Sequence, residues 1–394
     1  MKIQIIKILV ICALIFPRIL SGQANNKIIF GEKQIIHSGI LGEDKEYWVH
    51  LPVDYDKSIN RYPVLYITDG DEHFFLSGGI SEFMSSQYMI PEMIVVAIFH
   101  KDRNHDLTPT HCLTDNEGFT SDALKVSGGG EKLLQFIENE LMVLIESKYR
   151  TEPYRILAGH SLGGLFAVYV YLNRSNLFKA FIAMDPALYW DNYYCERTLK
   201  AMSVQSPNFK NKLYITSAHN APPGKHDKSP FRISEDSFYR ELRTKQNNNS
   251  KLSYFEEENH LTVPFQSLYA GLSYVFHDYY IFNNPQFVEE VSFIQEHYKR
   301  ASDLYGMAFT PPEGLMEMLG NYFLRDKSDY AKATEFFKVN SINYPDSYKA
   351  FENLGRACQA SGNVKEATIN YKKSLELNSG NEEIKKLLIE LEEH

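Results

Sequence analysis

Tyr154-Arg-Ile-Leu-Ala-Gly159-His160-Ser161-Leu162-Gly163-Gly164 runs from an apolar, strand-like segment into a helical one, with a serine at the joint. A Gly-x-Ser-x-Gly in that setting is a tight strand-to-helix elbow. Positions two before and two after the serine must lack bulk, and Gly159 and Gly163 meet that demand. The turn lifts the serine Oγ above the end of a sheet. The backbone N–H of Leu162, at the helix start, can then face a developing oxyanion. Ser161 is therefore the expected nucleophile of an acyl transfer, and His160 reads as a packing or polar contact at the turn.

The flanking patterns place this elbow in a sheet. Ile35–His37 and Glu46–Leu51, parted by Gly39 and Gly42, read as a hairpin. Tyr62–Thr68 and Met93–Phe99 are apolar without clean alternation, as buried parallel strands are. Leu133, Leu134, Ile137, Leu141, Leu144 and Ile145 recur at spacings of three and four, so Glu131–Tyr149 reads as an amphipathic helix. Tyr154–Ala158, Ala180–Met184, Leu213–Ser217 and Ser253–Phe255 read as further strands, with helices at Leu165–Leu172 and Ser234–Lys245. This alternation predicts an α/β fold, with a mainly parallel central sheet covered by helices.

A serine needs a base, and in this arrangement acid and histidine follow it in chain order. His260 fits, on a loop between the last strand and a helical run beginning near Pro264. His219 and His226 are rivals, while His105 and His111 precede the serine. An orienting acid is expected in the loop after Leu213–Ser217. Asp227 is the first choice and Glu235 and Asp236 come next; Glu257 and Glu258 stand beside His260. The second oxyanion donor is expected in Asp69-Gly70-Asp71, from the backbone N–H of Asp71. Asp69, Tyr189 and Trp190 are candidate substrate-binding residues, and the segment Phe74–Met89 is a candidate pocket border.

The 394-residue chain is 44% apolar and 13% aromatic, enough for one large core and a smaller second unit. Lys2 and Lys7, the apolar run Ile8–Pro17 and Ser21-Gly22-Gln23 have the pattern of a signal peptide over residues 1–23, implying a secreted or periplasmic protein. Its removal takes three cations and no acid, moving the formal charge from -9 to -12. Such a surface disfavours nucleic acid, and no later stretch reads as transmembrane. Cys112, Cys195 and Cys358 show no paired spacing and read as buried thiols. Neither a metal nor a cofactor is expected, since zinc-protease, phosphate-loop and dinucleotide motifs are missing.

Beyond about Tyr305 no strand pattern remains. Ala333 matches Ala367 and Phe337 matches Tyr371 at a 34-residue spacing, while Leu319-Gly320 matches Leu354-Gly355 offset by one. This resembles the tetratricopeptide repeat, closed by an amphipathic helix from Glu382 to Leu391. The expected division is a hydrolytic domain over 24–300 and a helical repeat region over 301–394, the latter a candidate surface for a protein partner.

Several stretches together carry a family resemblance: Tyr47-Trp-Val-His-Leu-Pro52, Tyr62-Pro-Val-Leu-Tyr-Ile-Thr-Asp-Gly-Asp71, Arg103-Asn-His-Asp-Leu-Thr-Pro-Thr110, Gly159-His-Ser-Leu-Gly-Gly164, Asp185-Pro-Ala-Leu-Tyr-Trp190 and Asn259-His260. Over roughly 33–280 the chain resembles the α/β-hydrolase family that includes esterase D and the ferric enterobactin esterases. The resemblance implies Ser161 as nucleophile and His260 as base. It also implies a small-molecule or saccharide ester substrate: a siderophore lactone, an acylated polysaccharide or a small generic ester. Relatives usually carry glycine after the histidine, where this chain has Leu261. An acyltransferase of the same fold and an inactive binding protein remain the alternatives.

Overall fold

The segments around Gly39 and Gly42 form an antiparallel hairpin, β1 (Glu32–Ser38) and β2 (Glu43–His50), turning where Gly42 takes a φ of 70°. The computed structural model describes residues 28–114, 120–204, 206–222, 224–281 and 285–392. The leader read at 1–23 lies outside them. After the hairpin come β3 (Tyr62–Ile67), β4 (Ile94–Ile98), β5 (Thr151–His160), β6 (Ala180–Met184), β7 (Lys212–Ala218) and β8 (Ser250–Phe255). They form one eight-stranded sheet in the order β1-β2-β4-β3-β5-β6-β7-β8. β2 pairs antiparallel with β4, and every pairing from β4 to β8 is parallel.

Every residue of β3, β4 and β6 is buried. A strand covered on both faces has no reason to alternate, which explains the unbroken apolar runs. The helix Leu162–Asn173 that leaves the elbow is buried at every position except Asn173, so it is apolar all round. The amphipathic stretch expected at 131–149 is a continuous helix over 130–148 with a π turn at Ile137–Leu141. That turn widens the spiral and shifts the face: Met142 joins the buried side and Leu144 falls half out.

Two helices had no clear signal in the sequence. One is α1 (Gly70–Ser86), which starts directly after β3. Its Gly78-Gly79 pair and several serines are poor helix formers. The other is Trp190–Ala201, whose first turn carries left-handed backbone at Asp191, Asn192 and Tyr193.

The C-terminal part is a stack of helices: Glu313–Asn321, Tyr330–Asn343, Tyr348–Ala360, Val364–Leu377 and Glu382–Glu392. The residues matched at the 34-residue spacing share one packing arrangement. A Cβ on Gly320 would lie 2.5 Å from the Phe337 ring, and one on Gly355 equally close to the Tyr371 ring. Each unit thus seats an aromatic ring on a bare backbone. The one-residue offset between units coincides with a π turn, Tyr322–Asp326, between Gly320 and Phe337. The expected domain limit at residue 300 falls inside the helix Val291–Tyr305. Tyr305 packs on Tyr154 and Phe276 and donates to the Val275 carbonyl at 2.9 Å.

Cys195 and Cys358 are buried free thiols, whereas Cys112 is only half-buried. No helix of the described residues is long and apolar enough to cross a membrane.

Candidate active site

Three parallel strands end in left-handed, non-glycine backbone at the same edge of the sheet. Asp69 follows β3 at φ 55°, Ser161 follows β5 at φ 59°, and Asp185 follows β6 at φ 42°. Such conformations cost about 1–3 kcal/mol each and cluster where function requires them. At the elbow, the Ser161 N–H donates to the Met184 carbonyl at 3.0 Å, and the Ser161 carbonyl accepts from Ala187 at 3.1 Å. A Cβ on Gly159 would meet the Gly163 backbone at 2.4 Å. One on Gly163 would collide with Thr68 Oγ1 and stand 3.1 Å from Asp69 Oδ2. The two glycines therefore let the ends of β3 and β5 close on each other.

That closure brings together the starts of α1 and of Leu162–Asn173. The first N–H groups of a helix have no intrahelical acceptor. The N–H groups of Leu162, Gly70 and Asp71 occupy such positions, as a two-donor oxyanion site requires. The Asp71 side chain itself is exposed.

His260 stands on the loop between β8 and the helix Pro264–Val275, as expected. Asn259 shapes that loop, its side-chain oxygen accepting from the N–H groups of Leu261 and Thr262. The imidazole is 27% exposed, and its Nδ1 lies 2.6 Å from Asp185 Oδ2.

The acid position requires a correction. Asp227 does not reach the imidazole; its carboxylate accepts from the Asn220 and Ser229 N–H groups at 2.8 Å. Asp185, at the end of β6, stands there instead, because β6 lies directly beside β5, the strand that ends at Ser161. The loop after β7 supplies donors to that carboxylate: the Ala218 N–H at 2.7 Å and the Asn220 amide at 2.9 Å. Burial alone would raise the Asp185 pKa, yet His260, Ala218 and Asn220 together hold it below the ordinary carboxylate value.

The other candidate acids are also elsewhere. Glu235 is fully buried beside Asp185 and Ser217, and burial, then the Asp185 charge, pushes its carboxyl well above the ordinary value. Asp236 accepts from the Tyr254 hydroxyl, Glu258 pairs with Gln266, and Glu257 is exposed.

Asp69 is buried and held in a two-point pair by Arg103, at 3.0 and 3.1 Å. Arg103 had no assigned role in the sequence, although it opens the Arg103–Thr110 stretch. Tyr189 packs edge-on against Phe231, whose ring lies 4.5 Å from that of His260. Trp190 is tied back to Thr110 by its indole N–H at 3.1 Å.

A serine elbow at the end of the central strand of a mainly parallel, helix-covered sheet defines the α/β-hydrolase architecture. Residues 38–294 match the family described as "Putative esterase", and the chain belongs to that family. It is 27% identical over 220 residues to the ferri-bacillibactin esterase BesA of Bacillus subtilis (strain 168), a match covering 51% of this chain and 74% of that protein. A siderophore triacetylfusarinine C esterase of Aspergillus fumigatus is 27% identical over 151 residues, 35% of this chain and 49% of the relative. Among solved structures, an IroE-like serine hydrolase from Shewanella oneidensis superposes with a TM-score of 0.67 at 28% identity, covering 79% of this chain and 98% of that one.

Proposed function

We propose that this chain is a serine esterase that hydrolyses an ester or lactone of the siderophore class through a covalent ester on Ser161. The observation that carries this reading is the buried Asp185 carboxylate on His260 Nδ1, next to a strained serine elbow. With Nδ1–H donating to Asp185, Nε2 is the free base. It takes the Ser161 proton as Oγ attacks the carbonyl carbon, and Asp185 steadies the imidazolium that forms. The N–H groups of Leu162 and of Asp71 or Gly70 hold the oxyanion, each worth about 3 kcal/mol. The imidazolium protonates the departing alcohol, and water releases the acid by the same steps.

The named activities of the relatives support the siderophore class over an acylated saccharide. Asp69, Tyr189 and Trp190 line the substrate side of the site in this reading, with Arg103 as its cation. The amino-terminal pattern fits export, and the groove bounded by Leu324, Arg325, Arg356 and Leu387 on the tetratricopeptide-like stack offers a surface for a protein partner.

The test is a panel of cyclic siderophores, acylated sugars and p-nitrophenyl butyrate, assayed on the wild type and Ser161→Ala. A loss of about 10³-fold or more in kcat with Ser161→Ala is expected on every substrate turned over. Undiminished hydrolysis by that variant would refute the mechanism.

A further inference from the structure

Two imidazole nitrogens beside Ser161 are buried without a hydrogen-bond partner. His73, on the first turn of α1, is 4% exposed; His160, immediately before Ser161, is 5% exposed. The Nε2 of each makes no hydrogen bond, and the rings stand edge-to-face with centroids 5.7 Å apart. Glu72 adds a carboxylate: one oxygen from it and the nitrogens of His73 and His160 all lie within 4.8 Å of one another. Its Oε2 is 4.0 Å from His73 Nε2.

Burial disfavours the charged form of both rings and lowers their pKa, that of His160 to about 3, with further lowering there by His260 and His73. Asp69 and Asp71 add negative charge around His73, and Arg103 opposes it.

We propose that Glu72, His73 and His160 bind a divalent transition-metal ion of the zinc class, and that the bound ion suppresses acyl transfer at Ser161. Sequence motifs gave no sign of a metal, because the ligands come from a helix start and a strand end 87 positions apart. Two imidazoles and one carboxylate are a zinc-type donor set with a position left for water. Magnesium and calcium prefer oxygen donors. Suppression follows from position and rests on the Ser161–His260 reading; binding does not. The His160 and His260 rings lie 4.4 Å apart, and His260 must become a cation during acyl transfer. A dication on His160 opposes that charge.

Zinc binding is measured by competition with a chromophoric chelator on the full chain carrying Ser161→Ala, so that the result is independent of turnover. A single strong equivalent is expected. Adding Glu72→Gln or His73→Gln should weaken it by about tenfold or more, with folding checked by thermal melting. Glu72 is exposed, so its variant tests the site even if the buried His73 variant fails to fold. In proteins retaining Ser161, zinc should inhibit hydrolysis of p-nitrophenyl butyrate reversibly by EDTA, and Glu72→Gln should keep the basal rate while losing zinc sensitivity. Absence of a bound equivalent, or unchanged affinity in folded variants, overturns the site. Binding at this site without inhibition overturns the suppression.

Discussion

Asp185 sits where a carboxylate loses its water and keeps its charge. Three donors replace the water: His260, the Ala218 N–H and the Asn220 side chain. Asp185→Asn preserves the shape but can turn an amide N–H toward Nδ1, forcing the wrong imidazole tautomer. A loss of about 10⁴-fold in kcat is expected, against a much smaller one for Asp227→Asn, whose carboxylate touches Asn220 and Ser229 rather than His260. Steady-state kinetics on one ester distinguishes the two. Beside Asp185, Glu235 is held protonated well above its ordinary value of 4.5. The native state then binds a proton that the unfolded chain releases, so this group lowers stability as pH rises above 4.5. Glu235→Gln should therefore unfold at higher urea than the wild type near neutral pH, with the gain shrinking as pH falls toward 4.5. The places of Ser161 and His260 in the fold, an elbow and a late loop, were legible from local context. The Asp185–His260 contact was not, because it depends on which strand lies beside β5, and spacing along the chain does not show adjacency in a sheet. An acid directly after five buried apolar residues was the available signal.

At the scale of elements, the sheet and the helix leaving the elbow could be read because burial on two faces leaves a continuous apolar run. α1 could not, since its helix is specified by contacts rather than by propensity. Gly31 faces the Phe74 ring, and Gly70 lies against Phe99. The β3–β5 junction is the most exacting of these contacts. Gly163→Ala would place a methyl onto Thr68 Oγ1, so either the elbow or the end of β3 must move. Overpacking of this kind costs about 1–3 kcal/mol. Thermal melting should register that loss, and under the proposed mechanism hydrolysis should fall further than stability, because the N–H groups proposed to hold the oxyanion flank the displaced point. Gly163→Ala with Thr68→Ser is not relieved, since the hydroxyl remains.

For the whole molecule, the helix Val291–Tyr305 decides how the two regions depend on each other. A chain ending at residue 300 loses Tyr305 and uncovers the cluster of Tyr154, Phe276 and Tyr279. Losing one large buried aromatic costs about 3–5 kcal/mol, so this truncation should melt earlier and aggregate, as light scattering during a thermal ramp would show. A chain ending after Gly306 keeps Tyr305 and should fare better. Further along, the ring seated on glycine sets how closely two helices of the stack approach, so a methyl at Gly320 or Gly355 must push Phe337 or Tyr371 away and wedge that pair apart, far from the serine elbow.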